Sequence, residues 1–225
     1  MGKGRGVRIG LRDLHFAKLT TDDPEASEDK LEYEEPEKII GAITANVNPN
    51  ASTETLFADD GPMESATALG EIELEMEAAD LPLEIQAKLL GHEFDETNGK
   101  LIRRSDDTPP WVAVGFRSLK SNGSYRYVWL LKGKFMVPEQ DYETRTDSVD
   151  FQTPTINGAF VRRDVDDTYQ IDGDEDVEGF DTASWFEKST LEEDYSRDEE
   201  GGTESVSTAG VNTRTFSTPQ KKEDK

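Results

Sequence analysis

Residues 70–78, "GEIELEMEA", alternate without a fault: Ile72, Leu74 and Met76 fall on one side, Glu71, Glu73, Glu75 and Glu77 on the other. A strand has a side-chain period of two, so this pattern predicts a β-strand with one buried face and one face made of carboxylate. The same period opens the chain. In "GVRIGLRDLHFAKLT" (6–20), Val7, Ile9 and Leu11 alternate before Leu14 and Phe16, which predicts a first strand with a possible break at Asp13. "EKIIGAITANV" (37–47) predicts a second strand, with Ile39, Gly41, Ile43, Ala45 and Val47 in phase and Gly41 as a bulge or close backbone approach.

Between these strands and the acidic one lies "NPNASTETLFADDGPMESATAL" (48–69), with two prolines, a DDGP turn and scattered apolar residues. It reads as a long loop. Connections of that length are uncommon and usually functional or disordered. Leu56, Phe57 and Met63 give it something to bury, which favours a loop that packs on a partner. After the acidic strand, Pro82 opens a short helix that Gly91 closes. Leu81, Ile85 and Leu89 make its apolar stripe. "NGKLIRR" turns into a short strand. In 111–138 two β-rich runs flank "KSNGS", and its Asn-Gly is the strongest short hairpin signal. "YETRTDSVDFQTPTINGAFVRRD" adds one or two strands, and the β-domain is expected to end near residue 163.

From Asp164 the composition shifts. Residues 164–200 hold 16 Asp+Glu and 2 Lys+Arg, a net of −14. Within them "DTASWFEKSTL" predicts a short docking helix, N-capped by Asp181 and carrying Trp185 and Phe186. The expected layout is a β-domain over 1–163, an acidic linker and docking helix over 164–191, and a polar acidic tail over 192–225 of linker-like composition.

Charge then narrows the partners. The 225-residue chain carries a net charge of −24. That opposes gripping nucleic acid through its phosphates, and opposes docking on an anionic membrane. It does not oppose lying close to DNA without holding it. No apolar run reaches the roughly 20 residues of a membrane-spanning helix, and "MGKGRGVRIG" lacks the apolar core of a signal peptide. Synthesis in the cytoplasm is the expectation.

Catalytic chemistry has little to build on. There is no cysteine, so thiolate nucleophiles, disulfides and zinc-thiolate sites are excluded. His15 and His92 sit in unrelated segments without metal-pair spacing. "GKGRG" (2–6) precedes the first strand, where a phosphate loop would follow one. Asp172, Asp174 and Asp176 have the opening spacing of a calcium loop, but Val177 stands where that loop needs glycine and Ala183 where it needs glutamate. A solvated acidic turn is expected. Neither an enzyme nor a cofactor or metal site is expected.

Several of these stretches together resemble a known family: "VRIGLRDLHFAKLTTDD", "PEKIIGAITANVN", the block "TETLFADDGPMESATALGEIELEMEAADLPLEIQAKLLG", and late "GAFVRR" followed by "WFEK". They are similar to the major tail tube proteins of long-tailed, non-contractile bacteriophages. The resemblance spans about residues 5–190, and its middle block is the most specific part. It implies a mainly β fold, an antiparallel β-sandwich or barrel-like tail tube domain with one short flanking α-helix; the acidic C-terminal extension lies outside the pattern. It implies hexameric rings stacked into a hollow tube, with the 48–69 loop reaching the next ring. It also implies a tape-measure protein and then double-stranded DNA in the lumen, tail terminator and distal tail proteins at the ends, and residence in the virion tail.

On that reading Glu71, Glu73, Glu75 and Glu77 are lumen-lining candidates, because an acidic wall repels a polyanion over a screening length of about 8–10 Å. An outward, solvated face tolerates the same glutamates, and both placements stay open. The alternatives are a tube protein of a bacterial secretion or contractile injection apparatus, and an acidic DNA-mimic binding protein.

Overall fold

The computed structural model describes residues 6–26, 30–58, 61–139 and 153–196; of residues 54, 56–58 and 61–67 it describes the backbone alone. The fold is mainly antiparallel β. In chain order its elements are β1 (Arg8–Asp22), β2 (Leu31–Tyr33), β3 (Glu37–Ile39), β4 (Ala42–Ala58), β5 (Gly61–Ala78), α1 (Leu83–Leu90), β6 (Glu93–Asp95), β7 (Lys100–Ile102), β8 (Val112–Lys120), β9 (Tyr125–Phe135), β10 (Thr155–Val161), β11 (Gln170–Asp174) and α2 (Lys188–Leu191). One sheet runs in the order β2-β1-β8-β9-β10-β5-β4, with β3 added to β1 and β11 to β9; β6 and β7 form a separate small ribbon.

Three strands separate β1 from β5 in the sheet, yet Leu14 and Phe16 of β1 share one apolar cluster with Ile72, Leu74 and Met76 of β5. The sheet is therefore rolled, as strand twist demands of a sheet this wide. Leu81, Leu89 and Leu90 bring α1 onto the same cluster. As the sequence predicts, α1 starts after Pro82 and ends at Gly91, whose φ of 72° is the left-handed conformation that favours glycine. β8 and β9 are buried on both faces. Val114 and Leu130 point into the first core, while Ala113, Trp129 and Leu131 belong to a second one on the opposite side. This explains the near-continuous apolar runs "WVAVGF" and "YVWLL". Gly115 stands opposite Trp129, and any Cβ there would lie 2.4 Å from the indole.

Several local expectations change. Asp13 does interrupt β1: its φ is 51°, and the pairing with β8 slips between Arg12 and His15. The strand nevertheless continues to Asp22. The expected second strand divides at Gly41 (φ 84°) into β3, which pairs with β1, and β4, which pairs with β5. The expected phase also slips: a register shift between Ala42 and Thr44 leaves Ile43 44% exposed, while Ala42, Ala45 and Val47 pack on the core.

The largest difference lies in 48–69. The segment is the outer part of the β4–β5 hairpin, paired from Ala51↔Leu69 out to Ala58↔Gly61. Pro49, which cannot donate to a ladder, stands opposite Ile72 at the start of a register shift, and within that shift a Cβ on Gly70 would lie 2.9 Å from the Asn50 carbonyl oxygen. β10 stops pairing at Ile72, so beyond it β4 and β5 pair only with each other among the described residues. A two-stranded arm leaves its outward-facing amides and carbonyls to water and is not obliged to bury a face, so it carries no apolar alternation to read. The side chains of Leu56, Phe57 and Met63 lie outside the described residues.

The composition shift at Asp164 does not interrupt the fold. The segment expected as an acidic linker contains β11, which pairs with β9 from Gln170↔Leu130 to Asp174↔Arg126. The expected docking helix is shorter and later than its sequence suggests, covering Lys188–Leu191. Asp181 caps a turn, accepting hydrogen bonds from the Ala183 amide (2.9 Å) and the Ser184 hydroxyl (2.8 Å). Such local bonds compete with helix formation. Residues 192–195, expected in the tail, are tied to the sheet. Glu192 accepts from the Tyr33 amide at 3.1 Å, and the buried Arg163 donates to the carbonyls of Leu191 and Glu193.

Candidate functional site

The acidic strand folds as its alternation predicts. Ile72, Leu74 and Met76 are 1–2% exposed, while Glu71, Glu73 and Glu75 are exposed on the opposite face. Glu77 shares that face but is half-buried, accepting hydrogen bonds from the hydroxyls of Thr153 and, at 3.4 Å, Thr44.

The flanking strands complete the surface. In the β4 ladder Thr44, Asn46 and Asn48 stand opposite Glu77, Glu75 and Glu73. In the β10 ladder Thr155, Asn157 and Ala159 stand opposite the same three. The carboxylates are thus bordered by hydroxyls, carboxamides and a methyl, with no lysine or arginine directly across from these three. The nearest base in register is one strand further, where Lys134 faces Ala159; its ammonium lies 4.5 Å from the Trp111 ring centroid. Sequence reasoning missed Asn46, Asn48 and Asn157. Their signal was present: "TANVN" and "TIN" also alternate polar with apolar, but without charge to draw notice.

Trp185 and Phe186 precede α2 instead of lying on the helix expected to carry them, and both pack against the second core. Trp185 is 8% exposed and packs on Tyr127 and Phe180; its carbonyl accepts the Trp129 indole N–H at 2.9 Å. Phe186 stacks on His15 at 4.2 Å. His15 is a structural residue. Burial lowers its pKa, and its Nδ1 lies 2.8 Å from the Asp13 carbonyl. Asp13 in turn binds Lys38 and Arg117, and these bonds outweigh the burial that would raise its pKa.

The calcium-like segment is an ion-pair cluster, not the solvated turn expected. Arg126 and the 4%-exposed Lys120 both hold Asp174, keeping its carboxyl well below the usual range; Lys120 also binds Asp176 at 2.9 Å. Among the described residues no group of three or more His, Cys, Asp or Glu is arranged to hold a metal ion.

A family model described as "Phage tail tube protein" matches residues 19–194, well over half of the chain. The chain belongs to the phage tail tube protein family. As a member it is a structural component of a virion tail, a class whose work is self-assembly into a tube and not catalysis. No curated protein matches the chain significantly. The matched span runs past Asp164 to the end of the segment that Arg163 anchors. The matched span therefore includes β11, α2 and the docked aromatics.

Proposed function

We propose that the protein is the major tail tube subunit of a long-tailed, non-contractile phage. Six copies form a ring, rings stack into a hollow tube, and the β4–β5–β10 face lines the bore. The observation that carries this reading is the row Glu71, Glu73, Glu75 and Glu77 on one face, of which Glu73, Glu75 and Glu77 are bordered by neutral side chains and directly opposed by no base in the flanking ladders. A duct for DNA works by not binding it. Lysines on its wall would displace counterions and hold the phosphates.

Edge geometry supports ring closure. Along Ala42–Asn48, β4 pairs with β5 on one side and carries no strand on the other among the described residues. A neighbouring copy that extends the sheet there would join the acidic faces into one wall. The outer hairpin, 51–58 with 61–69, projects past the sheet and is the element that reaches the next ring, with Leu56, Phe57 and Met63 as its anchors. A tape-measure protein, and afterwards the genome, occupies the bore; terminator and distal tail proteins close the ends.

Imaging the purified full-length protein by electron microscopy tests the assembly. Stacked six-fold rings with the β5 glutamates facing inward are expected. Outward-facing glutamates would remove the lumen assignment. A stable monomer would favour an acidic DNA-mimic instead.

A further inference from the structure

We infer that a cavity beside His92 receives an arginine from the amino-terminal strand of a second copy; the inference rests on the self-assembly proposed above. The cavity has a volume of about 430 Å³ and is lined by Phe16, Glu34, Glu35, Glu37, Lys88 and His92 among others. The left-handed cap at Gly91 turns the chain so that the His92 amide bonds the Ala87 carbonyl and its ring packs inward, 5% exposed. Nδ1 lies 2.6 Å from Asp107 Oδ2. The Arg104 amide and this ring hold the Asp107 carboxyl below its usual range. An ionised carboxylate only accepts, so the proton sits on Nδ1, and in the neutral ring Nε2 offers a lone pair. That buried Nε2 has no hydrogen-bond partner among the described residues. It lacks a donor.

The rim says what kind of donor. Glu34 is paired with Lys18 at 3.2 Å and Glu37 with Lys88 at 2.8 Å, while the exposed Glu35 accepts no hydrogen bond among the described residues. Three carboxylates against two ammoniums leave a negative site with an unfilled acceptor. A guanidinium suits it: its planar fork can bond a rim carboxylate and still turn further N–H donors toward the His92 side of the cavity.

This chain supplies such a group. It has 49 acidic and 25 basic residues, yet residues 1–12 contain Lys3, Arg5, Arg8 and Arg12 and no acid. Arg8 and Arg12 are exposed and form no ion pair among the described residues. Beside them Val7 and Ile9 are 72% and 64% exposed. Such a strand is half of an interface. It cannot serve its own cavity, because Phe16 and Lys18 place that cavity on the same strand, about 20 Å beyond Arg12. Two unlike patches on one chain make a head-to-tail contact, which closes rings or propagates along a stack.

Because the chain has no cysteine, the contact can be trapped. Arg8→Cys with Glu35→Cys leaves Arg12, Glu34 and Glu37 in place. Assembled full-length double variant treated with a flexible bismaleimide should give a covalent ladder beyond the dimer, and either single variant should not. Independently, Arg8→Glu with Arg12→Glu should raise the concentration needed for assembly about tenfold or more, and adding Glu35→Arg should recover part of that loss. Tubes that assemble yet give no ladder, from Arg8→Cys or from Arg12→Cys with Glu35→Cys, overturn this contact and leave the tube reading standing. A wild-type chain that stays monomeric overturns both.

Discussion

Converting the acidic face from repelling to binding is the most direct perturbation of this protein. Glu71, Glu73, Glu75 and Glu77 recur every second residue, which places neighbours about 6.7 Å apart along β5. At that spacing two unit charges repel by about 0.6 kcal/mol in water, and salt near 0.15 M reduces this to less than half. Neutralising Glu73 and Glu75 removes three neighbouring pairs: 71–73, 73–75 and 75–77. Glu73→Gln with Glu75→Gln should therefore stabilise the free subunit by up to about 2 kcal/mol at low salt and by less than about 1 kcal/mol at physiological salt. Urea unfolding at two ionic strengths measures it. A salt-independent loss of stability would show that these carboxylates hold partners, against the neutral surroundings found here.

Lysines go further. With Glu73→Lys and Glu75→Lys, virions should form and attach but eject DNA slowly. DNA retention by the variant tubes should fall with salt, with a log–log slope that steepens by about 0.9 for each lysine reaching a phosphate. Normal ejection at low salt by the double-lysine virion would refute the lumen placement and return the strand to an ordinary solvated face.

Other outcomes follow from particular contacts. Arg163→Met leaves Asp166, itself 0% exposed, without its cation and frees the Leu191 and Glu193 carbonyls; a loss of about 3–5 kcal/mol is expected in denaturant melts. Gly115→Ala pushes a methyl into the Trp129 indole and should cost about 1–3 kcal/mol, read by the same melts. Burial alone would raise Asp22, but Lys132 and the amides of Asp164 and Val165 hold it below its ordinary 3.8. Its contribution is therefore complete above that value and is lost as pH falls through the lower folded value; Asp22→Asn should flatten this part of the acid-unfolding curve. Leu56→Ala with Phe57→Ala should leave the subunit folded and block long tubes, as counted by electron microscopy. Deleting 197–225 should spare assembly, whereas deleting 192–225 should destabilise the subunit, because Glu192 and Glu193 are held by Tyr33 and Arg163.

The sequence by itself determined every element whose pattern is local. The strict alternation of 70–78 set the register of β5, since a slip of one residue would bury four glutamates. Pro82 and Gly91 bounded α1, and Asn122-Gly123 joined β8 to β9. Charge and the absence of cysteine excluded whole classes of chemistry, and several quoted stretches together pointed to the family. Tertiary structure alone decided which strands became partners. Gly41 separates β3 from β4 because each pairs elsewhere, a long-range choice that also slips the apolar phase, so that Ala42 packs inward and Ile43 does not. The 48–69 arm reads as a loop because a ribbon of two strands, open to water along its outer edges, need not bury an apolar face. The acidic stretch after Asp164 reads as solvated because its carboxylates carry no mark of their cations: Lys120 and Arg126 reach Asp174 from about fifty residues away in sequence, and Lys132 reaches Asp164 from 32 residues away. Pairing of that kind is a property of the rolled sheet, which brings distant charges within reach only once the chain has folded.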